Sequence, residues 1–293
     1  MKKKHLLKYL AGMILFGTNG IVASGSALSS VELVYMRSII GAALLAVLYF
    51  ATGHRVTAHK HPKDLIFVAL SGASMGLDWL FLFEAFRQIG VSLAVLINYL
   101  GPAIVILLSP LLFREKLGAA KLLAFAAAII GVFMLSGQAV VSGINIWGLT
   151  CALLSSFGSA GLILFNKLSV HVKGMENAMF QLLFAAITVA VFMGISQGFI
   201  IDILPADWIK VLWLGILNTG VACYLTFSEI TYLPAQTSAI CAYIEPVSAV
   251  FMSLIFLHES MGIFQIIGAI LVIGGAAFTE IMNTKETTFS GNS

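Results

Sequence analysis

The chain has 293 residues, 60% hydrophobic and only 10% charged, with a mean hydropathy of +1.02. A water-soluble domain carries roughly 25% charged residues, so the composition excludes a soluble globular protein and requires a membrane protein. The net charge of +3 leaves no basic footprint for nucleic acid. Cys151, Cys223 and Cys241 all lie in apolar runs, with neither CxxC spacing nor a disulfide framework.

A helix needs about 20 residues to cross the hydrocarbon core. The first candidate, over 7–24, follows a basic head, "MKKKHLLK". It could be a signal peptide, but a repeat described below gives it a partner, and it is read as a membrane helix. Further apolar runs follow at 32–52, 65–87, 91–113, 118–137, 146–166, 177–197, 208–228, 233–257 and 262–282. They lack the alternation of a barrel strand, so they are expected to be helices. Short breaks rich in Gly, Pro or charge separate them, such as "REKLG" and "LPAD". The expected fold is all-α and integral to the membrane, with ten transmembrane helices. Lysine and arginine gather at the N-terminus, between Arg55 and Lys63, between Arg114 and Lys121, and at Lys167 and Lys173. The other side holds Arg37, Arg87 and Lys210. This bias predicts two cytoplasmic termini in the cell inner (plasma) membrane.

Shifting the sequence by 144 residues lays "NYLGPAIVILLSPLLFREKLG" on "AYIEPVSAVFMSLIFLHESMG". Tyr99 meets Tyr243, Pro102 meets Pro246 and Glu115 meets Glu259. The domains read as 1–140 and 141–283, each with five helices, followed by a polar cytoplasmic tail, 284–293. An odd helix count inserts the second copy upside down. Inverted repeats of this kind are common in secondary transporters, whose sites lie near the midplane between the halves.

The Y-x-x-P and E-x-x-G pattern, once per half in these two stretches, resembles the drug/metabolite transporter superfamily, specifically its ten-helix EamA-like branch. Arg37 in "YMRSIIGAAL" also fits. The resemblance runs from about Leu7 to Phe278. It implies two five-helix bundles around a central cavity lined chiefly by the first, third, fourth, sixth, eighth and ninth helices, with the fifth and tenth at the periphery.

Ionisable groups inside a span are costly and point to function. Glu245 and Pro246 sit side by side in "AYIEPVSAV". The proline removes a backbone donor and can break the helix, freeing carbonyls for a ligand, while the glutamate could equally donate one hydrogen bond to a neighbouring helix. Pro246 and Pro102 are the expected hinges. Asp78 precedes Trp79, and a carboxylate beside an indole suits an ammonium ion; an internal ion pair with Arg37 is the other reading. If Arg37 and the carboxylates face one cavity, the site could hold a zwitterion such as an amino acid. Asn19, Asn98, Tyr99, Asn166, Asn218, Tyr224 and Tyr243 complete the candidate substrate-binding set, against interhelical hydrogen bonding as the plain role of each. Glu84 and Arg87 are read as rim residues, and Glu115 and Glu259 as carboxylates at helix N-termini. Gly72 and Gly76 are spaced for close helix packing. His54, His59 and His61 share one loop, where a metal site is not expected.

No HExxH or P-loop pattern is present, so neither an enzyme nor an ATP-driven pump is expected, and no cofactor. The sequence reads as a secondary transporter of a small amine-bearing metabolite, an amino acid or relative, working by alternating access as an exporter. Protons are the simplest coupling ion, with Glu245 or Asp78 as carrier, since a buried carboxyl can be poised to bind and release protons; exchange or uniport also fits. Rivals are a multidrug or quaternary-cation exporter, a lipid flippase, and a non-transporting receptor or scaffold. Expected partners are the small-molecule substrate and the bilayer, for a monomer or homodimer.

Overall fold

Every regular element in the computed structural model is helical, with no strand among the described residues, which are 2–113, 119–141, 143, 145–229 and 241–290. The elements are α1 (Lys2–Gly17), α2 (Asn19–Ser24), α3 (Ser30–Ala51), α4 (Pro62–Ile89), α5 (Val91–Asn98), α6 (Gly101–Phe113) and α7 (Ala119–Val141). After them come α8 (Ile146–Leu168), α9 (Gly174–Ser196), α10 (Trp208–Leu212), a π-helical segment (Trp213–Val221), α11 (Ala222–Glu229), α12 (Ile244–Phe256) and α13 (Ile263–Ser290).

Six stretches are long and apolar enough to cross a membrane: Lys4–Ser24, Ser30–Ala51, Pro62–Ile89, Ile146–Leu168, Gly174–Ser196 and Trp208–Thr226. Shorter apolar helices lie at Val91–Val105, Phe125–Leu135, Ile244–Phe256 and Ile263–Gly275. This is a multi-pass membrane protein. Large apolar side chains such as Leu123, Phe133 and Ile195 are exposed on its outer faces, which suits hydrocarbon rather than water.

Local sequence explains the ends and breaks. Ser29 and Glu32 form a reciprocal capping box at the start of α3. The run expected over 91–113 is two helices, interrupted at Tyr99 and Leu100. Pro102 then falls in the first turn of α6, where a missing N–H costs nothing. The second half repeats the device: a turn at Tyr243 precedes α12, with Pro246 in its first turn. The prolines therefore follow breaks already made at the tyrosines, rather than kinking continuous helices. α13 continues through 284–290, within the segment 284–293 read from sequence as a polar tail.

α4 packs along α8 and α9, and α3 against α9 and the π-helical segment. α1 packs against α11 and α12, α6 against α8, and α7 against α13. Gly72 and Gly76 seat α9 on α4. A Cβ on Gly72 would lie 2.5 Å from the Gln181 carbonyl oxygen, and one on Gly76 would lie 2.9 Å from that of Ala185. The loops are tied by matching carboxylates. Asp64, in the first turn of α4, accepts from the His171 backbone N–H. Asp207, just before α10, accepts from the Ala27 backbone N–H at 3.2 Å.

Glu259 differs from expectation in its partner. Its carboxylate caps α5, in the other half of the chain, accepting from the N–H groups of Val91 at 2.7 Å and Ser92 at 2.9 Å. The physical reason is the one expected, a carboxylate at unpaired helix N–H groups, but the helix is not its own. Glu115 lies outside the described residues.

Candidate functional site

A cavity of about 640 Å³ lies among α1–α6, α8, α9, α11 and α12. α7 and α13 supply none of its described lining, as expected for peripheral helices. α3 and α9 contribute Arg37 and Gln181, which the expected set of lining helices omitted.

Asp78 and Trp79 line the cavity from the middle of α4, with Phe83 one turn further on. Their depth is set by a close helix contact: a Cβ on Gly158 of α8 would lie 2.9 Å from Asp78 backbone atoms. The Asp78 carboxylate accepts from Asn98 Nδ2 at 2.7 Å, and the same amide donates to Ser155 Oγ at 3.0 Å. Asp78 therefore does not form the ion pair with Arg37 considered from sequence; its partner is Asn98, at the end of α5 where the chain breaks.

Arg37 is 1% exposed. Nε donates to Thr219 Oγ1 at 3.1 Å, and the Thr219 hydroxyl donates to the Leu214 carbonyl at 2.8 Å within the π-helical segment. The guanidinium carbon lies 4.3 Å from the Trp79 ring centroid and 4.9 Å from that of Phe83. Nη1 and Nη2 are buried and have no hydrogen-bond partner among the described residues. Arg37 thus occupies the indole face that the sequence reading offered to a substrate ammonium.

Glu245, in the first turn of α12, lines the cavity, as does Tyr99 at the α5–α6 break. The rings of Tyr99 and Tyr243 lie 6.4 Å apart. Asn19 and Asn166 also line the cavity, and Pro102 completes its wall beside Tyr99. At one rim Lys167 is exposed at the end of α8.

Three residues of the expected substrate-binding set, and one expected hinge, are not in the described lining. Asn218 holds the α1–α2 break instead, donating to the Leu15 carbonyl at 2.7 Å, Thr18 Oγ1 at 2.8 Å and Asn19 Oδ1 at 3.1 Å. Tyr224 packs on an apolar cluster with Tyr49 and Met179. Tyr243 meets Tyr99 outside the wall, and Pro246 is buried without lining it.

Gln181 was legible as the residue 144 positions after Arg37. It is buried, lines the same cavity and donates to Ser71 Oγ at 2.9 Å. Ser159, Lys167 and the apolar lining of Met75, Leu82 and Leu162 carried no comparable signal. Beyond the cavity, towards the end of α4, Glu84 accepts from Ser30 at 2.6 Å and Gln88 at 2.8 Å, and Arg87 donates to the Leu28 carbonyl at 2.8 Å. These expected rim residues tie α4 to the α2–α3 connection. A second cavity, between α3 and α9, is lined by residues such as Ile39, Phe50, Met179 and Leu183 and offers no charged group.

The EamA-like transporter family model matches the chain twice, over residues 3–137 and 146–281. The chain belongs to this family. It is therefore a member of the drug/metabolite transporter superfamily, a membrane transporter rather than an enzyme. The chain is 26% identical over 288 residues to the "Uncharacterized transporter YxxF" of Bacillus subtilis, covering 96% of this chain and 90% of the relative. It is 22% identical over 290 residues to the "Pseudopaline exporter CntI" of Pseudomonas aeruginosa, covering 98% of both. A solved crystal structure superposes with a TM-score of 0.64 at 19% identity, covering 95% of this chain and 99% of the other. That likeness concerns the fold.

Proposed function

We propose that this EamA-like transporter is a secondary exporter of a small amine-bearing metabolite, an amino acid or relative, working by alternating access between two inverted five-helix repeats. The observation that carries the reading is one cavity reached by Asp78, Glu245 and Arg37 together. Asp78 and Glu245 supply negative charge for a substrate amine, and either can carry a proton. The Pseudomonas relative, named as an exporter, supports the direction.

The inverted-repeat reading, with domains 1–140 and 141–283 and ten spans, is supported by the packing. Under the 144-residue shift, α4 on α8 exchanges with α11 on α1, and α4 on α9 with the π-helical segment on α3. The α3–α9 and α7–α13 pairs map onto themselves. The loop ties follow the shift to within one residue, since Ala27 and His171 are 144 positions apart and Asp64 and Asp207 are 143 apart. The double family match supports it too. With cytoplasmic termini in the inner membrane, the rim at Lys167 faces the cytoplasm, the side from which an exporter loads.

Arg37 in the cavity wall disfavours the quaternary-cation rival, whose cargo it would repel. The test is transport in proteoliposomes under an imposed pH gradient, with labelled amino acids. Wild-type protein is expected to accumulate substrate against the gradient and Glu245→Gln to lose the pH-driven component. Unchanged pH dependence in both Glu245→Gln and Asp78→Asn refutes proton coupling through these groups.

A further inference from the structure

Arg37 presents an unbalanced account of hydrogen bonds. A guanidinium has five N–H donors in a rigid fork. Nε is taken by Thr219, and the Thr219 hydroxyl proton is itself committed to Leu214, so the threonine can only accept. The π-helical segment makes this tie, because it lets Thr219 reach a carbonyl five residues back while facing Arg37. The four donors on Nη1 and Nη2 remain without a partner among the described residues, inside the protein. Buried donors without partners are rare, and a charged one is costly. Among the described residues no carboxylate oxygen lies within 4.0 Å of Arg37, and Asp78 is engaged by Asn98. The faces of Trp79 and Phe83 lie against the charge, and the carboxylates of Asp78 and Glu245 act on it from across the cavity without a direct contact.

We propose that Arg37 is the receptor for a carboxylate on the transported molecule. The cargo, on this assignment, is a zwitterion whose amine faces Asp78 and Glu245. A carboxylate offers the two oxygens that match the terminal fork. The guanidinium turns from the two aromatic faces to meet it. The register-equivalent residue, Gln181, lines the same cavity but is neutral and donates to Ser71. One position of the pair is charged, so one carboxylate is accepted per molecule. Met75, Leu82 and Leu162 line the remaining wall and suit an apolar side chain. This inference rests on the amine-metabolite reading above and adds the acid group to it.

The test compares matched compounds by thermal shift on the purified full-length protein, since a ligand that binds only the native state raises the melting temperature. The probes are L-leucine, L-methionine and L-phenylalanine, their amides, their decarboxylated amines, and the matching carboxylic acids without an amine. Wild-type protein is expected to bind at least one amino acid about tenfold or more tightly than its amide or amine. In Arg37→Gln the amino acid falls to the level of its amide, and the amide is unchanged. Arg37→Lys, which keeps the charge but not the fork, lies between them.

Amides or amines that bind wild type as tightly as the amino acid overturn the carboxylate site while leaving the amine reading intact. Acids that bind through Arg37 while no amine-bearing compound does so preserve the site and overturn the amine reading. No shift with any compound overturns both. The wild-type comparison stands even if an Arg37 variant fails to fold. A parallel series replaces chloride by methanesulfonate. A melting temperature that rises with chloride in wild type but not in Arg37→Gln, with no preference for acids, identifies chloride as the anion and overturns the proposal.

Discussion

Glu259 joins the two halves of the chain at one point, and its removal has a calculable cost. Its carboxylate accepts from Val91 N and Ser92 N. Hydrogen bonds to a charged group contribute about 1.5–3 kcal/mol each when well buried. Glu259 is half-buried, so solvent compensates part of the loss. The expected cost of Glu259→Ala is then about 1–2 kcal/mol, the range of a lost helix cap. Glu259→Gln keeps one acceptor oxygen without the charge and should lose roughly half as much. Gly90 supplies an internal check. Its φ of +85° lies in the left-handed region that side-chain residues rarely adopt, and a Cβ there would lie 2.8 Å from Glu259 Oε1. Gly90→Ala therefore carries a backbone strain and a displacement of the carboxylate. Only the displacement vanishes when Glu259 is already alanine, so the double variant should be less destabilised than the sum of the singles. The assay is thermal unfolding in detergent of the four proteins at matched salt. An unchanged midpoint in Glu259→Ala, or strict additivity with Gly90→Ala, refutes the cap.

Two further outcomes follow from the packing. Glu229, at the end of α11, accepts from Lys8 at 2.6 Å and pairs with His5 of α1; burial pushes its carboxyl up, but these hydrogen bonds and charges outweigh burial and hold it below its ordinary 4.5. A depressed folded value gives stability that is present above pH 4.5 and lost as pH falls through the lower value, so wild type should out-melt Glu229→Gln at pH 7 and the gap should close in acid; a gap independent of pH refutes the tie. Gly72→Ala should cost about 1–3 kcal/mol through overpacking, because its Cβ would meet the Gln181 backbone at 2.5 Å, whereas Gly274→Ala, with nothing within 4 Å, should leave the melting temperature unchanged or raised.

Composition alone required the membrane, because a chain with 10% charged residues cannot clothe itself for water. Run length located the apolar helices, and the 144-residue register paired Tyr99 and Pro102 with Tyr243 and Pro246, since both depend on order along the chain; that the chain breaks at the tyrosines was decided by the fold. The same register pointed to Gln181 as the counterpart of Arg37. Charge in an apolar run marked Asp78, Arg37 and Glu245, because burying a charge without use is costly. Partner choice was not legible. Asp78 turned to Asn98 rather than Arg37, Arg37 took the Trp79 face, Asn218 braced a helix break, and Glu259 capped a helix in the other half. Each of these contacts joins residues far apart in sequence or on separate helices, so its geometry is set by how the helices cross. Periodicity fixes which face a side chain occupies; only the packed bundle decides what stands opposite it, and that left two nitrogens of Arg37 without a partner among the described residues.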